Sequence, residues 1–224
     1  MINTIIVCCF ALVFAYISSG IINLRQVKKE NTVTAKAIAA IPKSRNTVIY
    51  CLIMLVYLLV LSIVITNLYS GNLCDYIKTV AISSLMWPMA QIDYKFKRIP
   101  NKLIVLGIIY RLLILVFETI FFRDGLIFTI IFELIASVGI GAVLLLSLLI
   151  IKNGIGMGDI KFFMLMALFL GAYRLISAVF IVMIIAFFVA LYKLIVKKEG
   201  KNAEFAFGPS IAIGSLISFI IFGN

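Results

Sequence analysis

Residues 126–151 read LIFTIIFELIASVGIGAVLLLSLLII, an unbroken apolar run whose one charge is Glu133. It exceeds the roughly 20 apolar residues that carry an α-helix across a hydrocarbon core of about 30 Å. In that solvent every backbone N–H and C=O must find an internal partner, so the run reads as helix rather than loop or open sheet. Further apolar runs lie on both sides, at 2–23, 47–67, 74–92, 102–121, 160–173, 175–192 and 206–222. The expected fold is all-α, a polytopic membrane protein of about eight transmembrane helices. The sixth run is short and ends at Tyr173-Arg174, so the sixth and seventh also read as one bent hairpin.

The composition agrees. Of 224 residues, 64% are hydrophobic and 13% charged, and the mean hydropathy is +1.22. An average soluble domain is about half apolar and a quarter charged. A water-exposed globule of this size has nowhere to hide so much hydrocarbon. One integral-membrane domain over 1–224 is expected, with residues 25–46 as a short loop.

Lys and Arg set the orientation. No basic residue precedes the first run, and Arg25, Lys28 and Lys29 follow it. That is the reverse of a secretory signal peptide, so the run reads as a retained helix with its N-terminus outside. The four loops then facing the cytoplasm carry sixteen Lys and Arg, and the outside carries three, Lys78, Arg123 and Arg174. Arg111 falls within a span. This is the positive-inside pattern, and it accounts for the net charge of +11 without nucleic acid as a partner. The expected surroundings are the lipid bilayer.

The chain has no histidine, which removes Ser-His-Asp and Cys-His catalysis and His-ligated metals. Cys8, Cys9, Cys51 and Cys74 form no C-x-x-C pair, so no zinc cage or dithiol motif is expected. No metal and no cofactor is expected. Acid–base chemistry falls to nine acids, Glu30, Asp75, Asp93, Glu118, Asp124, Glu133, Asp159, Glu199 and Glu204.

Two of these stand out. Asp93 closes the third run, in Gln91-Ile92-Asp93-Tyr94-Lys95-Phe96-Lys97-Arg98-Ile99-Pro100-Asn101. Asp159 opens the sixth, in Gly154-Ile155-Gly156-Met157-Gly158-Asp159-Ile160-Lys161. The topology puts both at the cytoplasmic edge of the membrane, where two acids from different helices can form a dyad. Taken singly, Asp159 also reads as a helix N-cap, and Asp93 as an interfacial acid among Lys95, Lys97 and Arg98. The glycine run lacks the Lys-Ser/Thr of a phosphate loop. Helix dipoles favour the carboxylate at Asp159, near a helix N-terminus, and the acid form at Asp93, near a C-terminus.

With these motifs the chain resembles the type IV prepilin peptidases, a branch of the G-x-G-D intramembrane aspartyl proteases. The matching elements are Asp93 with Ile99-Pro100-Asn101, Gly156-Met157-Gly158-Asp159 followed by Lys161, and Phe207-Gly208-Pro209 opening the last span. They stand in the family's order on the expected spans. The resemblance implies Asp93 and Asp159 as the catalytic pair. It implies a substrate-positioning surround of Gly156, Gly158, Lys161, Pro100, Asn101, Phe207, Gly208 and Pro209. It also implies prepilin or pilin-like precursors as substrates, each with a basic leader before an apolar helix, cut at the cytoplasmic face of a bacterial membrane. A transporter with an acidic ion path, or an inactive scaffold in pilus assembly, is the alternative.

Larger members of that family carry two C-x-x-C pairs in the first cytoplasmic loop and also methylate the new N-terminus. Residues 25–46 contain no cysteine. A zinc-stapled subdomain needs its ligands to fold, so the expectation is a peptidase with little or no methyl transfer. Arg111 with Glu118 or Glu133 is expected to form a buried structural pair, since charges in hydrocarbon pair or face the bundle interior. The stretch Lys193–Glu204 reads as a solvated connector, with Glu199 and Glu204 alternatively meeting a basic leader.

Overall fold

The computed structural model describes residues 2–24, 45–69, 71–121, 125–150, 156–195 and 206–222. The loop expected over 25–46 falls almost wholly outside the described residues, as do Asp124, Glu199 and Glu204. Seven helices are described: α1 (Ile2–Leu24), α2 (Arg45–Leu68), α3 (Leu73–Phe96), α4 (Asn101–Phe121), α5 (Leu126–Ile150), α6 (Met157–Ile195) and α7 (Gly208–Ile221). Among the described residues there is no strand.

The helix α3 forms the centre and packs against α1, α2, α4, α6 and α7. Its Ile77, Val80, Ala81, Ile82, Leu85 and Met89 are all fully buried. Its hydroxyls are satisfied locally, as a dry interior requires. Thr79 Oγ1 donates to the Asp75 carbonyl at 2.8 Å, and Ser83 Oγ donates to the Thr79 carbonyl at 2.7 Å. The outer helices turn large apolar side chains outward, among them Phe128, Phe132, Leu149, Phe180 and Phe187. On a surface facing hydrocarbon that exposure carries no penalty.

The helix α6 has 39 residues. A straight helix of that length spans about 58 Å, nearly twice a bilayer core. It is interrupted at Gly171, whose φ of 68° and ψ of 179° are non-helical. The partners on each side show a reversal of direction. Asp159, at the start of α6, lies by Asp93 at the C-terminal end of α3. Arg174 binds Asp75 at the opposite end of α3, 2.8 Å away. Val182 then lies against Gly214 of α7, and α7 begins at Gly208 beside Asp93. Residues 157–170 and 172–195 therefore run antiparallel. The expected bent hairpin is present, with its corner at Gly171 instead of Tyr173-Arg174.

Among the described residues, four helices are long and apolar enough to cross a membrane by length and composition: Cys51–Leu68 in α2, Asn101–Phe121, Leu126–Ile150, and Met157–Tyr192 in α6. A shorter apolar stretch, Asn3–Tyr16 of α1, and the short helix Gly208–Ile221 accompany them. The central α3 falls short because it carries Asp75, Lys78, Asp93 and Lys95.

The Asp75 end of α3 holds a buried ionic cluster. Lys78 Nζ lies 2.9 Å from Glu118 Oε1 and 2.8 Å from Glu133 Oε1. Arg111 binds Glu118 at 2.9 Å and also binds Glu133. The expected pairing of Arg111 is present with both glutamates. Lys78, assigned from sequence to an outside loop, instead sits inside α3, 2% exposed, as the second cation of the cluster. With Asp75 and Arg174 added, three cations face three carboxylates, which meets the demand that buried charges be compensated.

Candidate functional site

The other end of α3 gathers the motif residues. Asp93 lies in the last turn of α3, 4% exposed. The helix stops just beyond it, because Lys97 takes a left-handed conformation (φ 50°) and its N–H donates to the Asp93 carbonyl oxygen at 2.7 Å. The chain then passes through buried Ile99 and Pro100 into α4, which Asn101 opens.

Against this corner sits the start of α6. The carbonyl of Gly156 accepts the N–H groups of Asp159 (3.0 Å) and Ile160 (3.2 Å), forming the first turn. Gly158 presses on Ile99, and a Cβ there would stand 3.1 Å from the Ile99 Cβ. That contact brings Asp159 to the corner containing Asp93, within electrostatic reach of it. Asp159 Oδ1 is buried and has no hydrogen-bond partner among the described residues. At the exposed rim, Lys161 Nζ donates to Asn101 Oδ1 at 3.1 Å, joining α6 to α4.

The start of α7 closes the third side. The Gly208 N–H donates to Asp93 Oδ2 at 2.7 Å, and the Phe207 N–H is directed at the same carboxyl. A Cβ on Gly208 would stand 2.7 Å from the Asp93 Cβ, so only glycine permits this approach. Pro209 opens α7 at a position where a missing N–H costs nothing. The Phe207 ring lies 6.1 Å from that of Phe163 on α6.

All ten motif residues thus meet at one end of the bundle, contributed by the α3–α4 corner, the start of α6 and the start of α7. The sequence reading missed one electrostatic feature. Asp93, although near its own helix's C-terminus, is served by the N-terminus of α7. Two backbone N–H groups and that helix's positive end favour negative charge on Asp93. Among the described residues, no three His, Cys, Asp or Glu side chains stand close enough to hold a metal ion.

Fold and site together define a multi-pass helical membrane protein with two acids from separate helices set at one end. The chain belongs to the type IV leader peptidase family, whose model matches residues 80–191. The match takes in both Asp93 and Asp159, and with it comes protease activity at the level of the family. No curated protein and no solved structure matches the chain.

Proposed function

We propose that the protein is an intramembrane aspartyl endopeptidase in which Asp93 and Asp159 hold one water molecule between them. The observation that carries this reading is the meeting of two carboxyls from separate helices, one fixed by backbone N–H groups and the other with a buried oxygen left unbonded. Two carboxyls within electrostatic reach of each other resist joint ionisation, and in this reading the pair holds a single proton. Two backbone N–H groups favour the carboxylate at Asp93 against one, from Gly156, at Asp159, and this balance leaves the proton on Asp159. This reverses the assignment that the sequence suggests, since the dipole acting on Asp93 is that of α7.

In the reaction, ionised Asp93 takes a proton from the water, whose oxygen attacks the scissile carbonyl carbon. Asp159 gives its proton to the carbonyl oxygen. The neutral gem-diol then collapses as the C–N bond breaks. Asp93 protonates the leaving nitrogen, and Asp159 recovers a proton from a gem-diol hydroxyl. Both groups return to their starting states.

The substrates in this reading are prepilins or pilin-like precursors, with a basic leader ahead of an apolar helix, and the location is a bacterial cytoplasmic membrane. The family supports the substrate class, and the Lys and Arg distribution supports a cut at the cytoplasmic face. Co-expression with pilin-like precursors tests the proposal. Loss of the leader in the presence of the protein is the expected outcome, and an intact leader with every such precursor would overturn the substrate assignment.

A further inference from the structure

The ionic cluster lies far from the two aspartates but is attached to the helices that bear both of them. Lys78 belongs to α3, fifteen residues before Asp93, or about 22 Å along the same helix. Arg111 Nε donates to the Leu168 carbonyl at 2.8 Å, nine residues after Asp159, or about 14 Å along the first half of α6. That carbonyl lies in the turn before the break at Gly171, where a helix end needs donors from outside its own ladder. Glu118 and Glu133 bind both cations at once. The two glutamates join Lys78 on α3 to Arg111 on α4, and Arg111 reaches α6 through the Leu168 carbonyl, so the cluster links the Asp93-bearing helix to the Asp159-bearing helix at the ends remote from the aspartates.

We infer that Lys78, Arg111, Glu118 and Glu133 form a register lock, positioning residues that set the axial offset of α3 against residues 157–170 and hence the meeting of Asp93 with Asp159. Apolar contacts between these helices are non-directional and tolerate sliding. The ion pairs that hold Lys78 to Arg111 and the hydrogen bond from Arg111 to the Leu168 carbonyl are directional and do not, and a buried polar group is a known means of fixing helix register. The cluster is also charge-balanced, so it needs no ion or proton from outside and is free to serve geometry alone. The catalytic consequence rests on the aspartyl-peptidase reading. The geometric one does not.

The test measures geometry and activity on the full chain. Nitroxide labels at Tyr94→Cys and Met157→Cys, both exposed, report the spacing of the two helices at the aspartate end. The background replaces Cys8, Cys9, Cys51 and Cys74. In Arg111→Lys, which keeps the charge but loses the fork that reaches Leu168, the distance distribution is expected to broaden or move by up to about 5 Å, one helical turn. The double variant Lys78→Met/Glu133→Gln keeps the charge balance, is expected to do the same, and stands in if a single variant fails to insert. Lys78→Arg, able to bridge both glutamates, is expected to keep the parental distribution. Leu58→Ala, a core cavity on α2, lowers the melting temperature without touching the lock and is expected to leave the distance unchanged. Unchanged distances in the lock variants, or equal broadening in Leu58→Ala, would overturn the inference. On a cleaved precursor the lock variants are expected to lose kcat by roughly 10- to 100-fold with KM unaltered. Shifted distances with no cleavage even by the parent protein would retain the lock and remove the peptidase reading.

Discussion

The backbone N–H of Gly208 donates to Asp93 Oδ2 at 2.7 Å, joining residues 115 apart in sequence. The bond places a helix N-terminus on a carboxyl that otherwise sits at the unfavourable end of its own helix. It also makes the approach of α7 part of the geometry of the paired acids.

Replacing Gly208 with alanine tests that approach. The added Cβ would stand 2.7 Å from the Asp93 Cβ and 2.9 Å from its Oδ2, so α7 must retreat or Asp93 must turn. Gly208→Ala is expected to cost about 1–3 kcal/mol of stability through overpacking. It is also expected to cut the cleavage rate well beyond what that loss removes. Thermal unfolding in detergent, read beside a precursor-cleavage assay at equal folded protein, checks both.

Asp93→Asn and Asp159→Asn should each reduce cleavage by about 10²-fold or more, the scale of positioned acid–base groups. Both variants are expected to insert normally. The amide introduced by Asp93→Asn still offers an oxygen to the Gly208 N–H, and that introduced by Asp159→Asn still offers one to the Gly156 N–H. Leader removal followed by gel mobility measures the effect. Normal processing by either variant would end the aspartyl mechanism.

Two glycines separate a packing constraint from a merely apolar helix. A Cβ at Gly214 would meet the Val182 Cα at 2.7 Å and its nitrogen at 2.9 Å, both backbone atoms that have little room to yield. Gly214→Ala is expected to destabilise by about 1–3 kcal/mol as α7 is pushed from the second half of α6. At Gly139 the same Cβ would meet nothing within 4 Å, and Gly139→Ala is expected to be neutral or to stabilise by up to about 1 kcal/mol, because alanine favours a helix interior over glycine. Paired melting curves decide this.

The cysteine-free first loop yields a chemical prediction. With S-adenosylmethionine present, a processed pilin-like substrate is expected to show the mass of the plain cleaved product. One added CH2, about 14 Da, appearing only with active enzyme and methyl donor, would show methyl transfer without a zinc-stapled loop, against the expectation that such a subdomain needs its metal.

The helices were legible because a bilayer leaves the backbone few options, and apolar length alone then marks a span. Asp93 and Asp159 were legible for the same reason, as carboxyls at the ends of apolar runs. Lys78 was not. It lies five residues inside α3, and a lysine near a span boundary reads equally well as a loop charge until Glu118 and Glu133 are seen on other helices. The donor role of Gly208 leaves no side-chain signature, because a backbone N–H is common to nearly every residue. The corner at Gly171 had a signal, a glycine inside a helical run, but apolar length placed the break at Tyr173-Arg174. Only the positive φ at Gly171 identifies the turning point.

The break at Gly171 leaves residues 157–170 as a helix of about 21 Å, and α7, with 14 residues, is equally short. Both flank Asp93, and both fall about 9 Å below the usual hydrocarbon thickness. Most residues of both are buried among the other helices, so the shortfall faces protein and not lipid. Both begin beside Asp93, so the longer helices around them would carry the hydrocarbon thickness past the paired acids and leave a recess that water can fill without a channel across the membrane.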